Sequence, residues 1–386
     1  MSKLDFIEAE LEKRRAASRL RTLRPVAPAA DRAAVTINGA RLLNVCSNDY
    51  LGLSRHPLLV ERAQAFAAQW GAGATASRLI CGNYTCFDRV EEKLSRLKQT
   101  PAALVLNSGY QANTTLLPAL CDRNSLILSD RLNHNSIIMG CRLARCAVRL
   151  FDHNDPVHLE KLLTETAGQT FSRRLIVTES VFSMDGDCCD MDALAGLAQA
   201  HDALLMVDEA HATGVFGEKG MGLTCGKPVD VVMGTFGKGC GSFGAYVACS
   251  SALRDFFVNR CAGFVYSTGL PPAVLGAIDA ALDLVPAMDA ERQTLLDNAA
   301  HLRARLAALG FDTGASSSQI LPVIVGSEQA AIDLSRFLET QGFLAVAIRP
   351  PTVPEAQSRI RVSLSALHTR NDVDRLADAF GAWRRP

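Results

Sequence analysis

A lysine flanked by glycines lies between two apolar runs in the second half of the chain. Lys238 is part of the segment Thr235–Gly239, which follows the strand-like run Val229–Met233 and precedes Ala245–Ala248. We expect the two runs to enclose this turn, so that a charged ammonium is costly there and the pKa of Lys238 falls. A neutral amine in such a place is suited to imine formation with an aldehyde. A lysine in a solvated turn is the simpler alternative, but only eight of the 40 basic residues are lysine.

An imine-forming lysine suggests pyridoxal phosphate, and this cofactor needs three further groups. Its pyridine nitrogen is an electron sink only when protonated, which requires a carboxylate, and Asp208 closes the apolar run Leu204–Val207. Its phosphate needs backbone N–H groups at the start of a helix, and Gly109 follows the run Ala103–Leu106. His134 supplies a ring that can stack on the cofactor. A buried acid, a turn glycine and a helix cap are the simpler alternatives, but all four groups occur in the order that the cofactor requires.

Three other motifs lack the context that their usual functions need. Gly239–Gly244 matches G-x-G-x-x-G, but an apolar strand rather than a helix follows it, so we exclude a dinucleotide site. Leu205–His211 resembles the acidic box of nucleic-acid-dependent ATPases, but the chain has no G-x-x-x-x-G-K-[ST] phosphate loop. Asp208, Glu209 and His211 could supply metal ligands, but nothing nearby completes a shell, so we predict no metal site.

The composition is that of an ordinary globular protein. The 386 residues contain 40 basic and 40 acidic side chains, so no excess of cations favours binding to nucleic acid. The twelve cysteines include no C-x-x-C pair, which favours free thiols in a reducing compartment over zinc sites or disulfides. We find neither a signal peptide nor an apolar run of about 18 residues, so we predict a cytoplasmic protein without a membrane segment.

The pattern of apolar runs predicts an α/β fold. Residues 3–23 indicate an amphipathic helix and belong to an N-terminal helix and linker, 1–45. From 46 to 270, apolar strands alternate with helical patterns, which indicates a large cofactor-binding domain with a mostly parallel central sheet. From 271 to 386, two long helical patterns open a smaller C-terminal α+β domain. Because ligands bind at the carboxyl ends of parallel strands, the sheet would bring the candidate residues together.

Motifs along nearly the whole chain resemble those of the α-oxoamine synthases, a fold-type-I family of pyridoxal-phosphate-dependent transferases. The motifs are, in chain order, Ser47–Leu53, Ser77–Asn83, Asp130–His134, Thr178–Asp187, Val207–His211, Thr235–Gly239 and Tyr266–Thr268. Ala347–Pro354 resembles the branch of the family that uses alanine and a pimeloyl thioester. Cys81, Cys240 and Phe243 depart from the family's pattern, but none of them replaces a catalytic group.

The resemblance implies a homodimer and a role for each cofactor-site residue. Lys238 would hold the cofactor and act as general base, Asp208 would keep the pyridine nitrogen protonated, and His211 would bond the ring oxygen. His134 would stack on the ring. The other positions that match cofactor contacts of the family are Gly109, Tyr110, Ser183, Thr235 and, toward the phosphate of a partner subunit, Thr268.

The implied reaction is a decarboxylative condensation of L-alanine with a pimeloyl group carried by coenzyme A or by a carrier protein. Arg349 would grip the amino-acid carboxylate in a bidentate pair. Asn48, Thr352 and His134 match substrate-side positions, and Arg21 resembles a position near the acyl substrate. Two alternatives stay open: a sister synthase such as glycine C-acetyltransferase, and a non-catalytic scaffold subunit, which would be expected to have lost the lysine.

Overall fold

The computed structural model of the protein describes residues 3–383. The helices in this range are, in chain order, α1 (Asp5–Ala16), α2 (Pro57–Trp70), α3 (Thr85–Lys98), α4 (Gly109–Leu120), α5 (Asn135–Ala144), α6 (Pro156–Thr166), α7 (Met191–Ala200), α8 (Ser251–Arg260), α9 (Ala262–Val265), α10 (Pro272–Leu284), α11 (Asp289–Ala308), α12 (Glu328–Thr340) and α13 (Arg370–Ala382). The strands are β1 (Ala27–Pro28), β2 (Ala34–Ile37), β3 (Ala40–Asn44), β4 (Ala102–Leu106), β5 (Leu126–Asp130), β6 (Ala147–Phe151), β7 (Arg174–Glu179), β8 (Leu204–Asp208), β9 (Val231–Thr235), β10 (Ala245–Cys249), β11 (Ile320–Gly326), β12 (Phe343–Leu344), β13 (Ala347–Ile348) and β14 (Ser358–Ser363).

The chain folds into two compact units. The larger unit comprises residues 49–183 and 188–292, and the smaller unit comprises 184–187 and the described parts of 1–48 and 293–386. The predicted domain boundaries at residues 45 and 270 stay a prediction. Helix α10, which we expected to open the small domain, packs on α2 and α3 in the larger unit. There Arg62 of α2 and Lys93 of α3 bind the buried Asp279 of α10.

The larger unit is built on a seven-stranded sheet with the order β4-β10-β9-β8-β7-β5-β6. All neighbouring strands are parallel except β10, which runs antiparallel to both β4 and β9. The inner strands are apolar and almost completely buried, as expected when helices cover both faces of a sheet. The predicted α/β fold with a mostly parallel central sheet is therefore confirmed.

The strands of this sheet contribute to two hydrophobic cores. On one face, Met206 of β8 packs in a cluster with Leu116 of α4 and Ile137 of α5. On the other face, Leu205 and Val207 of β8 pack in a cluster with residues of α6 and α7. Because side chains alternate between the faces of a strand, β8 is anchored on both sides before it ends in a polar residue.

The smaller unit contains two sheets, with the orders β1-β2-β3-β12 and β11-β14-β13. Strands β2 and β3 form a hairpin around Asn38 and Gly39, both of which have positive φ angles. Two such residues are typical of the tight turn that joins antiparallel strands. Every residue of strand β14 is buried, and the strand pairs with β11 and β13 and contacts α12.

The four apolar runs that flank the predicted site residues correspond to β4, β8, β9 and β10, with bounds that differ by at most two residues. The first helix is an exception, because it ends at Ala16 rather than near residue 23 and is followed by Ser18 with a positive φ of 55°. Helix α1 buries no side chain, so packing does not extend it beyond its third turn. The short strands β1 to β3 were not predicted.

Within residues 3–383, no helix is both long and apolar enough to cross a membrane. In the same range, no group of three or more His, Cys, Asp or Glu side chains could hold a metal ion. The twelve cysteines all lie in the described range and are free thiols. Burial raises the pKa of Cys121, Cys141 and Cys261 to about 12, which keeps these thiols protonated and unreactive at neutral pH.

Candidate active site

The carboxyl ends of three neighbouring strands place polar groups around one cavity in the larger unit. Strand β7 ends in Glu179 and β8 in Asp208, which are paired in register, and β9 leads into the turn that carries Lys238. The cavity has a volume of about 200 Å³. The residues that line it are Gly109, Tyr110, His134, Ser136, Glu179, Asp208, Ala210, His211, Met233, Thr235 and Lys238.

Asp208 is 5% exposed, and its carboxylate accepts two hydrogen bonds. The side-chain amide of Asn113 donates to Oδ2, and the backbone N–H of Ala210 donates to Oδ1, both at 2.8 Å. Asn113 is itself buried on α4, so this bond joins α4 to the end of β8. The two donors fix the direction of the carboxylate at the wall of the cavity.

Glu179 is a second buried acid beside Asp208, and we did not predict it as a site residue. Its Oε1 accepts a hydrogen bond of 2.6 Å from the backbone N–H of His134. Burial raises the pKa of Glu179 well above its ordinary value, and the charge of Asp208 raises it further, against the opposing charge of Lys238. A neutral Glu179 removes the repulsion that two neighbouring carboxylates would otherwise have.

His134 has two roles in the structure. Its ring lines the cavity, as predicted for a residue that would stack on a cofactor. It is also the N-cap of α5, because Nδ1 accepts the backbone N–H of Ser136 at 3.2 Å and lies 2.7 Å from its hydroxyl. Burial lowers the pKa of His134, with Asp208 opposing and Lys238 adding to the shift. His134 is therefore both a helix cap, as in the simpler alternative, and a residue of the cavity wall.

Lys238 lies in a turn that β9 and β10 close. The backbone N–H of Phe236 donates to the carbonyl of Gly244 at 3.0 Å, and the hydroxyl of Thr235 donates to the same carbonyl at 2.8 Å. Lys238 itself is half-buried, so the turn is less enclosed than we expected. Its Nζ lies 2.7 Å from Nε2 of His211. The amine and the imidazole thus face the cavity as a pair.

The phosphate-side residues fall into two groups. Gly109 and Tyr110 begin α4 and line the cavity, and Ser108 caps this helix by accepting the N–H of Gln111. Ser183 and Thr268 do not line it. Thr268 is exposed and its carbonyl accepts the side-chain amide of Asn107 at 2.8 Å. The free N–H groups at the start of α4 give this wall of the cavity the character of an anion site.

A buried ion pair lies behind the turn that carries Asp208 and His211. Glu209 is completely buried, and its carboxylate accepts Nζ of Lys98 and the N–H of Thr224, both at 2.8 Å. Gly222 closes over it with a φ of +95°, and an added Cβ would come within 2.0 Å of Oε2 of Glu209. Loss of either partner would leave an uncompensated charge in the interior, which is strongly destabilising.

Three of the five substrate-side residues lie together in the smaller unit. Arg21 donates to the hydroxyl of Thr352 at 2.9 Å, and Arg349 donates to the carbonyl of Ser18. Arg21, Arg349 and Thr352 line a groove of about 490 Å³, whose apolar members are Leu20, Leu23, Val346, Ala347, Ile348 and Pro350. Burial lowers the pKa of Arg349, and the nearby charge of Arg21 lowers it further.

Asn48 lies elsewhere in the smaller unit, beside an arginine that we did not predict. Its Oδ1 accepts a hydrogen bond of 3.1 Å from Arg361, which is 7% exposed and also donates to Ser363. Arg359, two residues earlier on the same buried strand, forms an ion pair with Asp185. Two arginines that alternate with Ile360 and Val362 were the available signal, since arginine is rarely buried without a partner.

The comparisons with known proteins agree with this architecture. The family model described as aminotransferase class I and II matches residues 40–380. The chain belongs to this family. A protein of Desulfosudis oleivorans named "Putative 8-amino-7-oxononanoate synthase" is 94% identical over 386 residues, all of both chains. An 8-amino-7-oxononanoate synthase of Gluconacetobacter diazotrophicus is 52% identical over 89% of this chain and 88% of its own.

Solved structures show the same fold. A serine palmitoyltransferase from S. paucimobilis with a bound PLP–myriocin aldimine superposes with a TM-score of 0.91 at 26% identity, over 98% of this chain and 97% of that one. The predicted fold type is therefore confirmed over nearly the full chain. The resemblance to the α-oxoamine synthases that the motifs indicated is also confirmed by the named relatives.

The raised pKa of Glu179 predicts a pH-dependent stability. A carboxyl group with a higher pKa in the folded than in the unfolded state stabilises at low pH and loses that contribution as the pH rises through its folded value. Glu179→Gln keeps a neutral acceptor for His134, so from about pH 5 to about pH 8 its free energy of unfolding should fall less than the parent's. Urea unfolding of the cofactor-free protein measures this.

Glu160→Gln, on the exposed side of α6, is the matched control and should follow the parent at every pH. Parallel pH profiles for the parent and Glu179→Gln would show that the acid is not held neutral.

Proposed function

We propose that the protein is a pyridoxal-phosphate-dependent acyltransferase that condenses L-alanine with a pimeloyl thioester and releases 8-amino-7-oxononanoate, CO₂ and the free thiol carrier, a step of biotin synthesis. The cavity that joins Lys238, His211 and Asp208 carries the proposal, because it combines an amine, an imidazole and a buried carboxylate. The names of relatives that match along the whole chain support the choice of substrates.

The residues around the cavity fit the cofactor. When bound, pyridoxal phosphate supplies an aldehyde that reacts with amines and a ring that withdraws electrons from the adjacent carbon. Lys238 would hold the aldehyde carbon, Asp208 the protonated ring nitrogen and His211 the ring oxygen, while His134 would stack on the ring. The phosphate would lie at the start of α4, with contacts from Gly109, Tyr110 and Thr235. Ser183, which does not line the cavity, would make a further contact with the cofactor.

Proton movements in the proposed reaction centre on Nζ of Lys238. As a neutral amine it takes the Cα proton of alanine, and as an ammonium it returns a proton to the same carbon after CO₂ has left. His211, at 2.7 Å, can accept a hydrogen bond from the ammonium or donate one to the amine. Asp208 holds a compensating negative charge at the other side of the cavity, which favours the electron-poor ring.

The substrates bring two carboxylates, that of alanine and the distal one of the pimeloyl group. We propose that Arg349 grips the carboxylate of alanine, with Thr352 and Asn48 as substrate contacts and Arg21 near the acyl group. The groove around Arg21 and Arg349 combines two guanidinium groups with aliphatic side chains, which suits a carboxylate on an aliphatic chain. Arg361, beside Asn48, is a second arginine that could bind a carboxylate.

We also propose a homodimer in which Thr268 reaches the phosphate of the partner subunit. Ile80 and Tyr266 are 79% and 85% exposed, and the bridge between Ser77 and Thr268 sets their two segments side by side. Exposed apolar side chains of this size are typical of an interface. Light scattering on the purified protein should give a mass of twice 41.4 kDa, and a monomer that keeps full activity would contradict this proposal.

A substrate panel tests the function. L-alanine and glycine are each combined with pimeloyl-CoA and acetyl-CoA, and the products are weighed by mass spectrometry. We expect turnover with alanine and pimeloyl-CoA only. Glycine with acetyl-CoA as the preferred pair would assign the protein to a sister synthase, and no turnover with any pair would favour a scaffold subunit.

Lys238→Ala provides the control within the site. The Lys238→Ala variant should lose the visible absorbance of the lysine-bound cofactor. Its turnover rate should fall at least about 100-fold, since a general base typically contributes that much. Lys161→Ala, a lysine whose side chain is 70% exposed on α6, should behave as the parent. Full turnover by Lys238→Ala would overturn the mechanism.

Steady-state kinetics can distinguish whether Arg349 binds the carboxylate of alanine or the distal carboxylate of the pimeloyl group. Arg349→Ala should raise the KM for alanine at least about tenfold with a smaller change in kcat, as expected for loss of a charged hydrogen bond to a substrate. Arg336→Ala, a mostly exposed arginine on α12, is the control. A rise in the KM for pimeloyl-CoA instead would assign Arg349 to the distal carboxylate, and Arg361→Lys would then be expected to raise the KM for alanine.

A further inference from the structure

Tyr50 makes a hydrogen bond to the imidazole that faces Lys238. Its side chain is completely buried at the start of the larger unit. Its hydroxyl lies 2.6 Å from Nδ1 of His211, while Nε2 of His211 lies 2.7 Å from Nζ of Lys238. The two rings are inclined by 50° with centroids 6.1 Å apart, so the hydrogen bond rather than stacking joins them. A continuous chain of three side chains thus ends at the reactive amine.

The chemistry of the three groups limits how this chain can be arranged. A neutral imidazole has one nitrogen that donates and one that accepts. An ammonium at Lys238 can only donate, so Nε2 of His211 must accept and Nδ1–H must donate to the oxygen of Tyr50. A neutral amine at Lys238 can accept, so Nε2–H can donate to it and Nδ1 then accepts the hydroxyl proton of Tyr50.

A hydroxyl is the group that suits both arrangements. It can donate or accept by rotating about its C–O bond, whereas a carboxylate at the same place would only accept and would favour one tautomer of the histidine. His211 is 4% exposed, so bulk water does not replace a lost partner easily, and a buried ring nitrogen that loses its hydrogen bond is destabilised. Because Tyr50 is buried beside His211, its hydroxyl can orient the imidazole ring of His211.

We propose that Tyr50 is a positioning residue that acts through His211. It keeps Nε2 directed at Nζ of Lys238 in both protonation states of the lysine, because its hydroxyl accepts from Nδ1–H in one tautomer and donates to Nδ1 in the other. The inference rests on the proposed function, in which Lys238 alternates between amine and ammonium. It concerns the orientation of the imidazole and not the identity of the substrates.

Tyr50→Phe removes one hydroxyl and keeps the ring. The expected result is a fall of about tenfold in kcat, the usual effect of one buried hydrogen bond, with the KM for alanine changed less than about twofold. Tyr246→Phe is the matched control, because Tyr246 is also completely buried and its hydroxyl lies 2.7 Å from that of Thr213. The control should lose stability but keep both constants. Equal kinetic behaviour of the two variants would overturn the proposal.

A double variant tests whether Tyr50 acts through His211. His211→Gln alone should lower kcat by at least as much as Tyr50→Phe, and adding Tyr50→Phe to it should have no further effect, since residues that act in series are not additive. Independent, multiplying effects would contradict a positioning role. This comparison also keeps the test valid if Tyr50→Phe is less stable than the parent, because stability is measured for each variant.

Nitrogen-15 NMR of labelled histidine in the cofactor-free protein separates this inference from the proposed function. The ring nitrogens of His211 should exchange donor and acceptor roles across the pH range in which Lys238 loses its proton. In Tyr50→Phe one tautomer should persist, and in Tyr246→Phe the exchange should remain. An unchanged exchange in Tyr50→Phe would overturn the proposal, whatever reaction the substrate panel assigns to the enzyme.

Discussion

Glu179 and Asp208 end neighbouring parallel strands in register, so their carboxylates lie at the same edge of the sheet and are both buried. Two adjacent negative charges are unstable in such a place unless donors and cations surround them or one of them takes a proton. The surrounding structure supplies both solutions. An amide from α4 and backbone N–H groups converge on the acids, Lys238 faces them from the next turn, and the pKa of Glu179 is raised. Helix α4, the N-terminus of α5 and the lysine turn each contribute one of these compensating groups.

The parts of the site that follow from local patterns could be predicted from the sequence. Lys238, Asp208 and Gly109 lie where buried strands end, and parallel strands end at one edge. Glu179 and Tyr50 could not be selected in this way, because a polar residue at a strand end or in a loop has many possible partners. Their roles depend on side-chain directions that only the assembled sheet defines. The hairpin at Asn38 and Gly39 had a clear sequence signal, but its strands are too short for an apolar periodicity.

The arginines of the smaller unit show the same limit of prediction from the sequence. The sequence contains 32 of them, and charge alone does not distinguish a buried one from a surface one. The groove brings Arg21, Arg349 and Thr352 together as substrate-side candidates, whereas Asn48 pairs with Arg361 from strand β14. Alternate residues of a strand share a face, which explains why Arg359 and Arg361 both make polar contacts within one buried strand. Contacts between residues that are far apart in sequence could therefore be assigned only from the folded structure.

The position of β10 in the sheet also has a consequence for the order in which strands can pair during synthesis. Strand β4 has β10 as its one neighbour in the sheet, and β10 is synthesised long after it. Until then, β4 has no strand to pair with in this sheet, although the helix that follows it also packs on α5 and β9. An apolar strand without its partner is prone to aggregation until the pairing forms. Because Gly109 begins the helix after β4 and Lys238 lies just before β10, the pairing of β10 with β4 and β9 also brings these two residues to the same cavity.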